Sequence, residues 1–238
     1  HANVVCITHG HEEHYLDTPA VVARSGAEVV GTKAVCDYLA WRSRVPRDRL
    51  HPVRPFEPVE VRGFAISTFR WQHRDINLWK ALAKALFQGN ATQLSWAWSS
   101  ATNAPFYSDY TGFHVTLPGG LTVLNYNEGF NTKMPDAEVG ELGRRFRVDV
   151  LLAGMQLDFT ADIARGVAAL RPRAVLLYPP HEKFHEMMGA RSRPWADFKA
   201  AVERRLPDAL VIVAEPGTIV DAVTGETRFV PPQGAAAA

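Results

Sequence analysis

Six residues near the start of the chain carry its clearest chemistry. The run Thr8-His9-Gly10-His11-Glu12-Glu13-His14 puts three histidines and two glutamates within residues 9–14. Imidazole nitrogens and carboxylate oxygens are the ligands that zinc and related divalent ions take from proteins. In extended backbone, side chains at i and i+2 point to one side, so His9 and His11 are expected to grip one ion together. If the chain then turns into a helix, Glu13 and His14 swing toward a second ion. Hydrolytic two-metal sites hold their ions roughly 3.5–4 Å apart. The bland alternatives are a His-rich surface loop and a tag remnant. A tag lacks interspersed Glu and Gly, and it does not follow an apolar strand. Asp17 is placed either to accept a hydrogen bond from a ligand imidazole or to cap the next helix.

These ligands need a framework, and the hydrophobic pattern supplies one. Residues 3–8 read as a strand that ends at the histidines. Helices are expected over 17–26, with Pro19 in the first turn, and over 32–42, with a strand at 28–31 between them. Residues 45–50 read as a connector, because Pro46 argues against continuing the helix. Residues 59–69 read as a hairpin about Gly63. Residues 75–88 form an amphipathic helix capped by Asp75, and 89–111 are irregular. Strands are expected at 113–117 and 121–126, around a turn at 118–120. Thereafter helix and strand alternate: helices at 138–146, 161–170 and 195–206, strands at 148–153, 174–178 and 209–213. A final hairpin spans 217–230. Such an order fits sheets with helices outside them.

Composition narrows the class. Of 238 residues, 47% are hydrophobic and 21% charged, which supports a buried core and argues against disorder. The net charge of +1 gives no footprint of a nucleic-acid binder, so no nucleic-acid partner is expected. Two cysteines suit a reducing compartment, and neither a membrane span nor a signal peptide is visible. A cytoplasmic location is the expectation. A single domain is expected over 1–232, with an aromatic-rich insertion or lid at 74–112 and a tail at 233–238. The stretch 76–113 holds Trp79, Phe87, Trp96, Trp98, Phe106, Tyr107, Tyr110 and Phe113. It reads as packing plus a pocket wall in preference to a membrane-contact surface, with ordinary packing or a dimer contact as the bland alternative.

The histidine run resembles the H-x-H-x-D-H signature of the metallo-β-lactamase superfamily, with Glu13 at the aspartate position. Thr8, Gly10 and the Val29-Val30-Gly31 strand that follows the first helix are also similar to that family. The resemblance runs from about residue 3 to about residue 185 and is closest to the lactonase and phospholipase-D-like branch. It implies an α/β fold of αββα type, with two mixed sheets and outer helices, and a first sheet that is truncated or belongs to a fragment. The family places several strands before the histidine motif, and this chain starts one strand before it. It also implies the remaining ligands. His73 is similar to the third histidine of the first metal, Glu128 to the carboxylate that bridges both metals, and His181 to the last histidine of the second, with His185 its competitor. Both family aspartates are glutamates here, which puts the second ion and the metal's identity in question.

The activity implied is that of a metallo-hydrolase holding one or two zinc ions, with manganese or iron as alternatives. It would use metal-activated water on a phosphodiester, a lactone or another ester, in a small-molecule or lipid-like substrate with an apolar part. Glu13 or Glu128 would orient the nucleophile, and His114 or His185 would serve the leaving group. The alternatives are a degenerate, non-catalytic binding member of the fold and a redox di-iron protein. Homo-oligomerisation stays open.

Overall fold

The computed structural model describes residues 2–73, 83, 85–87, 89–102, 105, 109–125, 130–179, 191–215, 217–221 and 224–230. Contacts divide the chain into two units, residues 1–120 and 121–238.

The first unit begins with β1 (Val4–Ile7), α1 (Thr18–Ser25), β2 (Glu28–Thr32), α2 (Lys33–Arg42) and β3 (Leu50–Val53). The strands form a sheet of order β1-β2-β3. It is parallel throughout, not mixed, because α1 and α2 each carry the chain back across the sheet before the next strand starts. Pro19 opens α1, and Gly26, at φ 66°, ends it in the left-handed conformation that glycine tolerates. Thr32 caps α2 by accepting from the Val35 N–H. Ile7, Val29, Val35 and Leu39 bury one face of the sheet against the helices. At the N-terminal end of β2, the Glu28 carboxylate accepts from Arg49 at 3.0 Å and Arg62 at 3.1 Å, and lies 3.0 Å from His51 Nε2. One carboxylate therefore ties β2 to β3 and to the turn of the next hairpin.

That hairpin joins β4 (Val59–Val61) to β5 (Phe64–Arg70), and β5 pairs in turn with β6 (Thr111–Thr116), antiparallel throughout. The last register pair, Arg70 with Thr111, brings the two ends of a long insertion side by side. Within that insertion, Ala85–Phe87 are helical, as expected for 75–88; the rest of that expected helix, apart from helical Ala83, lies outside the described residues.

One expectation fails here. Residues 89–111 are not irregular throughout: Ala91–Thr102 form α3. The Asn90 side chain accepts from the Gln93 N–H and starts it, and three alanines raise its helix propensity. The connector at 45–50 ends where β3 begins, and no strand is expected over 51–53. Pro52 of β3 lacks a ladder donor, which an edge strand of the sheet tolerates.

The second unit alternates regularly: β7 (Thr122–Asn125), α4 (Asp136–Arg145), β8 (Val150–Gly154), α5 (Thr160–Leu170), β9 (Ala174–Tyr178), α6 (Trp195–Arg205) and β10 (Leu210–Val213). Its strands are parallel, paired in the order β7, β8, β9, β10. A hairpin of β11 (Thr218–Val220) and β12 (Thr227–Phe229) follows. The buried Asp149 knits the strand starts together. Its Oδ2 accepts from the Thr122 backbone N–H at 3.0 Å and the Thr122 hydroxyl at 2.9 Å, and its backbone carbonyl accepts from the Ala174 N–H. Among the described residues, no helix is long and apolar enough to cross a membrane.

Candidate metal centre

The end of β1 delivers the histidines. After Ile7 the chain leaves the sheet, and residues 12–14 close a single 3-10 turn in which the His14 N–H donates to the His11 carbonyl. That turn reverses the direction of the side chains and brings the His14 ring back against His9, 4.1 Å between centroids. His73 arrives from the other sheet of the same unit, three residues past β5. Its ring lies 5.4 Å from that of His9 and 4.7 Å from that of His11.

Two sets of ligand atoms result. His9, His11 and His73 each offer an atom within 4.8 Å of the others, as do His11, Glu13 and His14. The first set is buried, at 0%, 1% and 8% exposure; the second opens toward solvent through Glu13 and His14. Of the residues expected to bind metal, the structure brings His9, His11 and His73 together, with Glu13 and His14 beside them. His114 belongs to neither set and pairs with Ser67 in mid-strand. Glu128, His181 and His185 lie outside the described residues. Asp17 makes no side-chain cap; α1 starts instead from its backbone carbonyl, which accepts from the Val21 N–H.

Three features fix the buried set. Burial, followed by the neighbouring His14, His11 and His73 rings, holds the His9 imidazole well below its ordinary pKa, so it is neutral, the form that binds metals. Thr8 Oγ1 lies 3.0 Å from His9 Nδ1 and occupies that nitrogen. The other nitrogen, His9 Nε2, is buried with no hydrogen-bond partner among the described residues, an arrangement that ordinarily costs about 1–3 kcal/mol and that a bound ion would relieve. Burial works against the charge of Glu13, but the His11 ring and backbone N–H outweigh it and keep its carboxyl below the usual range.

The wall is aromatic. Trp71 stacks on His73 with 28° between the planes, and the Tyr110 ring stands 5.1 Å from His9, 5.9 Å from His11 and 5.0 Å from His73. Backbone bonds lock this wall to the ligands: Thr111 N–H donates to the Thr8 carbonyl, and Trp71 N–H to the Tyr110 carbonyl. Sequence reasoning counted Tyr110 among the aromatics of the insertion but did not single out Trp71. The signal for Trp71 was its place two residues before His73, on the same side of extended backbone.

Gly10 sits where a Cβ would collide with the carbonyl oxygen of Pro105. Backbone cannot yield as a side chain can. Gly10→Ala is therefore expected to cost about 1–3 kcal/mol in urea unfolding and to weaken metal binding, because the loop that moves carries His9 and His11.

Comparison with known proteins places the fold. Over 96% of this chain and 79% of the other, the structure matches Igni18, a metallo hydrolase from Ignicoccus hospitalis, with TM-score 0.60 and 18% identity. It matches YhfI of Bacillus subtilis, a metallo-β-lactamase fold protein, over 90% of this chain and 75% of that one, with TM-score 0.55 and 12% identity. This chain has the metallo-β-lactamase fold. A protein of the same fold class by this measure is CmlA of Streptomyces venezuelae, a diiron β-hydroxylase, at TM-score 0.52 and 14% identity over 90% of this chain and 44% of that one. In sequence, the chain is 22% identical over 218 residues to the UPF0173 metal-dependent hydrolase of Methanosarcina mazei, covering 90% of this chain and 79% of that protein. No protein-family model matches it.

Proposed function

We propose that this chain is a metal-dependent hydrolase whose ion is held by His9, His11 and His73. The observation that carries the reading is the convergence of these three buried imidazoles, with ligand atoms within 4.8 Å of one another. Three histidines that leave further coordination positions open are the donor set of a catalytic zinc site, and imidazole also suits iron and nickel. The Methanosarcina mazei relative and Igni18, both metal-dependent hydrolases by name, support the same reading.

When bound, the ion supplies Lewis acidity, lowering the pKa of water and polarising a substrate oxygen. The protein's own groups do the rest. Thr8 fixes the orientation of the His9 ring. Trp71 and Tyr110 shield the site from bulk water, which strengthens every electrostatic interaction inside it. The same aromatic wall favours an ester-type substrate, phosphodiester or lactone, with an apolar portion beside the scissile bond.

The test is to strip the protein with a chelator, reload it separately with zinc, manganese or iron, and assay phosphodiesters, lactones and β-lactams. Hydrolysis of one class, in proportion to bound ion, is expected. Stoichiometric metal with no turnover of any class would make this a non-catalytic binding protein instead, and an iron-dependent absorption band without hydrolysis would point to redox chemistry.

A further inference from the structure

We propose that the exposed end of α2 is a docking surface for an anionic lipid bilayer, carried by Trp41, Arg42 and Arg44. The surface lies outside the residues that hold the ion, and its role does not depend on the metal-centre reading.

The run Trp41-Arg42-Ser43-Arg44-Val45-Pro46-Arg47-Asp48-Arg49 holds four arginines against one aspartate. The fold sorts them. Arg49 turns inward to Glu28, and Arg47 lies 3.7 Å from Asp37, a carboxylate that Lys33 also holds. The Arg42 and Arg44 side chains are exposed and enter no ion pair or hydrogen bond among the described residues. Trp41, next to Arg42 in the chain, is 75% exposed.

Aromatic packing connects this helix end to the metal-binding turn. Tyr38 stands three residues before Trp41 and four before Arg42, the spacings that bring side chains together on a helix. The Tyr38 ring packs edge-on against Tyr15, with centroids 5.4 Å apart. Tyr15 directly follows His14, whose side chain opens to solvent, and Leu16, next in the chain, is 64% exposed.

Nothing in the fold of α2 calls for these residue types. The helix is seated by its buried Val35, Cys36 and Leu39. Arg44 sits at φ 54°, just past the helix end, where the Val45 N–H turns back to the Leu39 carbonyl. Glycine fits that backbone better, as Gly26 does after α1.

The pairing of an exposed indole with unpaired guanidinium groups suits a bilayer surface. Tryptophan rings settle at the level of the headgroups, and guanidinium takes phosphate oxygens in bidentate pairs. A nucleic acid would need a longer basic track than two cations in a chain of net charge +1.

The experiment is sedimentation of the full chain with vesicles of phosphatidylcholine alone and of phosphatidylcholine with phosphatidylglycerol, in the presence of a chelator. The proteins are wild type, Trp41→Ala, Arg44→Gly and the double variant Arg42→Gln with Arg44→Gly. Wild type is expected to bind the anionic vesicles far more tightly than the neutral ones, and less tightly as salt rises. The double variant loses about 30-fold in affinity, each cation near an anionic surface being worth about fivefold. Trp41→Ala binds more weakly and loses most of the blue shift in tryptophan emission that wild type shows on binding. Arg44→Gly should unfold at the same urea concentration as wild type or a higher one, which separates lost binding from lost fold. Equal binding to both vesicle types overturns the proposal, as does binding unchanged in the variants. Absence of vesicle binding overturns it too, and capture of a single-stranded oligonucleotide or of a second copy of the chain in its place would name the partner instead. The chelator keeps the two readings apart: vesicle binding without an ion leaves this surface standing if the metal centre fails, and metal binding without vesicle binding does the reverse.

Discussion

Changing His11 to alanine is expected to lower the affinity for a divalent ion by more than about 100-fold, and to abolish hydrolysis with it. Loss of an outer partner of a ligand commonly costs about 10–100-fold, and removing a ligand itself exceeds that. His11 is the most sensitive position because, among the described residues, it is shared by the two ligand sets, and its loss leaves each with two described donors. His14→Ala provides the contrast. It breaks only the solvent-facing set, and the ion on His9, His11 and His73 should stay. The check is the metal-to-protein ratio after dialysis, by atomic absorption, beside urea unfolding of the apo-proteins. Equal loss of metal in the two variants would show that the two sets are not separable.

The second large effect concerns the fold. Asp149→Ala is expected to destabilise the protein by about 3 kcal/mol at pH 7, since it strips charge-assisted bonds from Thr122 and strands a buried N–H. The effect should depend on pH in a definite direction. Burial works against the Asp149 charge, but the Thr122 N–H and hydroxyl and the Arg147 guanidinium outweigh it and hold the carboxyl below its usual value. A depressed folded-state pKa means that the stabilisation is present above the unfolded value, about 3.9, and is lost as pH falls through the folded one. Urea unfolding of wild type and Asp149→Asn at pH 7 and pH 3 should therefore show a smaller difference at pH 3. A gap that stays constant would mean that shape, not charge, makes Asp149 matter.

How much of this was legible beforehand depended on how local each signal was. The His9–His14 run was readable because its ligands sit on one short segment, and the i, i+2 rule places His9 and His11 without further information. His73 came only through resemblance. Its place at the site depends on β5 being brought beside the end of β1, a long-range event that no spacing encodes. Tyr110 reaches the histidines because Arg70 pairs with Thr111, a register choice made across an insertion of some forty residues. β3 was hidden by Pro52, and α3 by a polar, aromatic composition that concealed the Asn90 cap. Local chemistry was written in the sequence; the walls of the site were written in the pairing.

That same pairing has a consequence for how such a protein can change over generations. Arg70 and Thr111 lie opposite one another on adjacent strands, so whatever chain runs between them leaves and returns at nearly the same point. Trp71 and Thr111 are already pinned by backbone bonds to Tyr110 and Thr8. Length and sequence can therefore drift only between His73, which must stay among the imidazoles, and the segment that leads into Tyr110. Pro105, pressed against Gly10, is where that freedom ends. The two ends of the insertion are thus held by the histidine centre, and diversity is left to the chain between them.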